Sequence, residues 1–252
     1  MYLGARISKK VHEGTTLWTM TSSDYLKAAI AEIEKSLKEQ GHELPKKATT
    51  AMHKSYKPEL DSTQELDSEN VTYFQELIGI LRWAIEIGRV DVLTEVSMLS
   101  AFQASPREGH LKALLQIFAY IKNKMKLTLY FDPTSPNIDY TVFRTNAEDF
   151  QEYYRDAHEE DPPRTPKPRG RPVFVTAFVD ASHGANLKTR RSHTGFIIFI
   201  NKAPIIWFSK RQSTVETSAF SAEMIAMKTC MESIQALRYK LKMFGVPLMG
   251  PA

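Results

Sequence analysis

Residues 162–172 read Pro-Pro-Arg-Thr-Pro-Lys-Pro-Arg-Gly-Arg-Pro, five prolines in eleven positions. Proline fixes φ and has no amide hydrogen, so a stretch this dense can enter neither a helix interior nor a sheet ladder. The segment is therefore extended, and a domain boundary falls here. The charge changes sign at the same place. Residues 162–252 hold 14 Lys and Arg against Asp180, Glu216, Glu223 and Glu232, a net of +10, whereas 1–161 hold 19 basic and 25 acidic residues, a net of −6. A basic half with four scattered acids points to a polyanionic partner. A solvated surface kept for solubility accounts for the charge equally well.

Hydrophobic residues at 42% and charged residues at 25% are those of an ordinary globular protein. No run approaches the length of a membrane-spanning helix, and no charged-then-apolar leader opens the chain. The one cysteine, Cys230, excludes an intrachain disulfide, fits a reducing compartment and reads as a small buried hydrophobe.

Alternation predicts a strand over Tyr2–Ser8, a turn at His12-Glu13-Gly14 and a return over Thr16–Met20. Ser22, Ser23 and Asp24 are caps for a helix with Tyr25, Leu26, Ala29, Ile30, Ile33 and Leu37 inward and Gly41 as its stop. From His42 to Glu69 the periodicity dissolves, which predicts a long exposed connection. Helical spacing returns at Tyr73, Leu77, Ile80, Leu81 and Ala84, then over Asp91–Ala104, then from about Arg107 to Lys124. Leu127–Phe131 reads as a short strand. The acidic stretch Glu148–Asp161 leads into the proline segment.

Beyond the prolines, Val173–Val179 is apolar and β-prone, as a buried strand should be. Gly195–Ile200 and Pro204–Phe208 form a hairpin around Asn201-Lys202. Thr217 and Ser218 cap a long helix whose expected inner face is Phe220, Met224, Met227, Met231, Ile234, Leu237, Leu241 and Phe244. The methionine stripe reads as core packing. Gly245-Val246-Pro247 ends the helix, and no further element is expected.

Two carboxylates fall where they could be used. Asp180 lies at the end of the buried strand and Glu223 in the first turns of the helix. A helix crossing back over that strand could bring them together, and paired carboxylates suit a hard divalent cation such as magnesium. On spacing alone, a turn-capping Asp and a surface Glu explain the pair better.

Several ordered blocks add a family resemblance. Phe178-Val179-Asp180-Ala181-Ser182, Arg191 through Phe196, Pro204 through Val215, and Ser218 through Ala226 resemble the RNase H domain of copia-type retrotransposons. Tyr2-Leu3-Gly4 with Ser23-Asp24-Tyr25-Leu26 resembles the end of the reverse-transcriptase palm and the start of its thumb. Leu77-Ile78-Gly79, Arg89, Asp91, Ser97, Leu99-Ser100, Pro106 and His110-Leu111-Lys112-Ala113 resemble, more loosely, the segment leading into RNase H. Ser221, where the family usually has Glu, and Met224, where an aromatic often stands, depart from the pattern.

The resemblance implies an α/β chain in three parts. Residues 1–131 are a mostly helical thumb/connection region, 132–171 an acidic then Pro/Arg-rich linker, and 172–252 a partial RNase H-like mixed sheet with one long helix. It implies magnesium held by Asp180 and Glu223, and hydrolysis of the RNA strand of RNA–DNA hybrids. A third Asp, expected on a strand after the helix, and a fourth ligand are not in the chain, and the polymerase aspartates would precede Tyr2. Met1 reads as a start assigned inside an open frame. Little or no cleavage is therefore expected, with a non-catalytic nucleic-acid-binding remnant as the alternative and a fragment without a selected role as the third. Lys188, Arg190, Arg191, Lys210 and Arg211 are candidates for phosphate contact. Trp207 reads as core and His183 as a loop residue without a role. Nucleic acid is the implied partner, remaining polyprotein segments could complete the fold, no membrane is involved, and the compartment is the cytoplasm or the nucleus. The missing strands predict an exposed sheet edge, an uncovered helix face and marginal stability for 172–252 alone.

Overall fold

A computed structural model describes residues 3–137, 161 and 163–250; the acidic stretch expected over 148–160 lies outside them. Among the described residues the fold is mixed α/β, with two three-stranded antiparallel sheets and five α-helices.

The first sheet has the order β1-β2-β3, with β1 at Arg6–His12, β2 at Thr15–Thr21 and β3 at Leu129–Phe131. The expected opening strand at Tyr2–Ser8 is displaced toward the C-terminus because its turn sets the register. Glu13 and Gly14 both have positive φ, +48° and +76°, and a two-residue loop of that kind pairs His12 with Thr15 and Arg6 with Thr21.

Four helices pack beside this sheet: α1 (Ser23–Glu39), α2 (Ser68–Glu86), α3 (Leu93–Ser100) and α4 (Glu108–Asn123). α1 buries Leu26, Ile30, Ile33 and Leu37, as their spacing requires. α2 starts where the Asp67 carboxylate accepts the Asn70 N–H at 2.9 Å. Leu26, Phe74, Leu81, Leu99, Leu114 and Phe118 are fully buried at the centre of the resulting core. Each such burial contributes about 1.5–3 kcal/mol.

The connection expected to be exposed between His42 and Glu69 instead wraps this core. Leu44, Ala48 and Ala51 are buried in it, and Pro58 and Glu59 are buried in the short 3₁₀ turn Pro58–Leu60. Single apolar residues at irregular spacing carry no period, so the exposed reading misses them. The helix expected over Asp91–Ala104 is a 3₁₀ turn at Val90–Val92 followed by the shorter α3.

The second sheet has the order β4-β5-β6: Val175–Ser182, His193–Ile200 and Ala203–Arg211. The long helix α5, Ala219–Met243, is capped by the Ser218 hydroxyl, which accepts the Ser221 N–H at 3.1 Å, and covers β4 and β5. The three strands are antiparallel throughout, so the mixed sheet expected from sequence reduces to a single parallel bridge between Val173 and Leu248. That bridge follows the helix, where no further element was expected. It forms because the Val173 N–H reaches the Pro247 carbonyl and the Met249 N–H returns to the Val173 carbonyl, each at 2.9 Å.

The inner face of α5 differs from expectation. Ala222, Ala226, Cys230, Leu237 and Leu241 are buried, whereas Phe220, Met224, Met227, Met231 and Phe244 are exposed. Small residues spaced by four let the helix lie close on the sheet, and the methionine stripe is left on an uncovered flank. Cys230 is buried, as its single occurrence suggested.

Among the described residues the proline segment enters neither helix nor sheet, but it is not extended throughout, since it turns at 163–164, where Arg164 has φ +64°, and bends at 170–171, and it is not free. The Arg169 N–H donates to the Gly245 carbonyl at 2.8 Å, and Asp161 pairs with Lys242 at 2.8 Å, so the tether lies against the end of α5. The two halves also touch directly. The Ser97 hydroxyl donates to the Ser209 carbonyl at 2.7 Å, the Leu187 N–H to the Glu59 carboxylate at 3.0 Å, and Trp207 packs against the helical core. No described helix is long and apolar enough to cross a membrane.

Candidate nucleic-acid interface and carboxylate site

Strand alternation decides where Asp180 faces. Val175, Ala177 and Val179 pack with the cluster under α5, so Phe178, Asp180 and Ser182 belong to the opposite face. Asp180 is exposed, opposite Gly195 in register, and with Thr94, Ser182, His193 and Ser209 it lines a cleft of about 390 Å³ between β4–β6 and α3.

Glu223 is half-buried in the first turns of α5. The buried Gln212 side chain fixes that end of the helix, donating to the Thr194 hydroxyl at 3.0 Å and to the Ala222 carbonyl at 2.9 Å. Thr194 pairs with Ala181, the neighbour of Asp180. Both carboxylates therefore lie at one end of the sheet, although alternation assigns Asp180 to the face that α5 does not cover. Among the described residues no three His, Cys, Asp or Glu side chains group closely enough to hold a metal ion.

The five basic candidates gather at this same end. Lys188 and Arg190 are exposed on the β4–β5 loop, Arg191 is half-buried where the loop enters β5, and Lys210 and Arg211 end β6, opposite Thr194 and His193. The loop is ordered rather than loose. Asn186 Oδ1 accepts the Thr189 N–H at 2.8 Å, and the Ser192 hydroxyl accepts the Gly184 N–H at 3.0 Å. Gly184 has φ +56°, a left-handed conformation that glycine adopts without strain, and a Cβ there would need only a small shift of the Arg190 guanidinium at 3.2 Å.

His183 and Trp207 both make contacts away from the basic cluster. His183 donates from Nε2 to the Glu216 carbonyl at 3.0 Å, a loop-tying contact. Trp207 is half-buried and spans to the other half of the molecule.

Sequence reasoning missed His193. It pairs through Nε2 with the Ser209 hydroxyl at 2.7 Å inside the Asp180 cleft. Burial, and then the Arg211 charge, hold its imidazole below the ordinary histidine value of 6.5. The unfolded chain thus binds this proton at a higher pH than the folded one. The stability it contributes is full above 6.5 and is lost as pH falls through the depressed folded value. Urea midpoints measured on either side of 6.5 should fall toward acid, with a shallower fall in His193→Gln. Identical pH profiles for the two proteins would show that this histidine titrates as it does in water.

Comparison with known proteins places this arrangement in context. Over 166 residues the chain is 24% identical to a putative transposon Ty5-1 protein of Saccharomyces cerevisiae, covering 65% of this chain and 42% of that protein. Over 206 residues it is 25% identical to a retrovirus-related Pol polyprotein from transposon RE1 of Arabidopsis thaliana, covering 82% of this chain and 11% of the polyprotein. It is also 21% identical over 159 residues to secreted RxLR effector protein 161 of Plasmopara viticola, covering 63% of this chain and 86% of the effector. The chain thus spans less than half of each transposon relative. No protein-family model matches it. No solved structure matches it either. The two transposon similarities support a retrotransposon origin.

Proposed function

We propose that this chain derives from the reverse transcriptase and RNase H segments of a copia-type retrotransposon polyprotein. In this reading its basic end engages RNA–DNA hybrids or other nucleic acid. The observation that carries it is the gathering of Lys188, Arg190, Arg191, Lys210 and Arg211 beside Asp180, in a chain similar over most of its length to a transposon Pol polyprotein. In the RNase H reading Asp180 and Glu223 are the carboxylates that would face magnesium. Because the described residues supply no third ligand beside them, hybrid binding without cleavage is the expected behaviour of this chain by itself. The remaining polyprotein segments are the partners that would complete the site.

A labelled RNA–DNA hybrid tests both halves of the reading. The purified chain should bind it with an affinity that falls steeply with salt, by a log–log slope of about −0.9 for each phosphate neutralised on B-form duplex, with hybrids of the same order. Replacing Lys188 or Arg190 by Gln should reduce that slope by about one. Cleavage with magnesium should stay at background in both the parent and Asp180→Asn. Cleavage by the parent that Asp180→Asn abolishes would establish a complete site and overturn the binding-only reading. Absence of binding at low salt would leave neither activity standing.

A further inference from the structure

We propose that the cavity where the two halves meet binds a single phosphate-type oxyanion, either free phosphate or a phosphodiester of a nucleic-acid backbone. The cavity measures about 210 Å³ and is lined from one half by Lys57, Glu59 and Ser97, and from the other by Asn186, Arg191 and Arg211. Arg191 and Arg211 are both half-buried, and among the described residues neither guanidinium has a hydrogen-bond or ion-pair partner. A partly desolvated cation left unpaired is costly, and two facing one small space repel each other.

Local carboxylate charge does not cancel this. Glu59 is the acidic residue of the lining, and its Oε1 is engaged by the Leu187 N–H at 3.0 Å, which pins the loop carrying Lys188 and Arg190. Three cations therefore face one carboxylate. Asn186 also lines the cavity, its Oδ1 accepting from the Thr189 N–H and hydroxyl at 2.8 Å each, which leaves its Nδ2 amide without a hydrogen bond among the described residues. Two guanidinium forks and an amide are the donor types that bind the oxygens of a phosphate, where bidentate charge-assisted bonds are strongest. The volume admits one such group with a few waters.

Occupancy would also join the halves, since the lining residues come from both. The inference stands apart from hydrolysis, because neither Asp180 nor Glu223 takes part in it.

Isothermal titration of the full chain with inorganic phosphate, at ionic strength matched with chloride, tests it directly. Saturable binding and a rise in melting temperature specific to phosphate are expected. Arg191→Gln and Arg211→Gln should each weaken phosphate about tenfold or more, while Lys228→Gln, on the far side of α5, should match the parent. Arg191→Lys serves as the check on folding: it keeps the charge, loses the fork, and should retain part of the affinity. No heat and no phosphate-specific stabilisation in the parent would overturn the site, as would undiminished binding in the double Arg191→Gln/Arg211→Gln variant. A short RNA–DNA hybrid then separates the two sources. Competition between hybrid and phosphate assigns the site to the nucleic-acid backbone, and independent binding assigns it to the free anion. Either result upholds the cavity as an oxyanion site.

Discussion

Asp91→Ala should cost the fold about 3–5 kcal/mol, because it strands a buried guanidinium. Arg89 and Asp91 face each other in parallel, Nε to Oδ1 at 2.8 Å and Nη2 to Oδ2 at 2.7 Å. The Arg89 side chain is 2% exposed, against 25% for Asp91, and Arg89 Nη1 has no hydrogen-bond partner. The whole compensation for that charge thus rests on one carboxylate. Asp91 also acts on its neighbours. The Glu95 carboxyl is held above its ordinary value by burial and then by Asp91, and the Tyr120 hydroxyl by burial, by the Asp91 charge and by a hydrogen bond to it.

The asymmetry of the pair is the checkable part. With Arg89→Met, the carboxylate left behind is partly exposed and can be solvated, so the loss should be clearly smaller than for Asp91→Ala. With both replaced, no buried charge remains, and the double variant should recover much of what Asp91→Ala loses. Urea unfolding of the three variants gives the cycle. Equal costs for the two single variants, with additive loss in the double, would mean that Arg89 reaches water and needs no partner.

Legibility in the sequence followed the physics of each element. α1, α2 and α4 were readable because each repeats its apolar residues over three turns or more, and the β5–β6 hairpin because its turn residues separate two β-prone runs. The displacement of β1 shows a limit of alternation, which continues past a strand end, whereas the two positive-φ residues fix where pairing begins. Asp180 and Glu223 were singled out by their places at a strand end and in a first helical turn together with the family resemblance, since position alone favoured a turn cap and a surface side chain. That Asp180 belongs to the face of β4 turned from α5 had no such signal, since only the packing of Val175, Ala177 and Val179 under α5 reveals it. The junction cavity was beyond reach for another reason. Leu187 and Glu59 are 128 positions apart, and no local pattern signals that the loop of one half docks on a 3₁₀ turn of the other.

The second large effect follows from α5, where hydrophobicity and burial part company. Ala222 and Ala226 are 0% exposed and Cys230 2%, while Phe220 is 74% exposed, Met227 45% and Met231 61%. A sequence-based preference for large apolar side chains picks the methionines as the inner face. The structure shows instead that close approach of the helix to β4 and β5 needs small side chains spaced by four. Ala226→Leu therefore has to push the helix off the sheet or distort rotamers in the cluster that includes Ile198 and Leu237, at a cost of about 1–3 kcal/mol. Met227→Lys, one residue along the helix, should stay within about 0.5 kcal/mol of the parent and should raise solubility by breaking the apolar stripe. Thermal melts of the two variants discriminate the faces. If Met227→Lys lost as much stability as Ala226→Leu, the methionine stripe would be packed after all, and the close helix–sheet approach argued from the alanines would not hold.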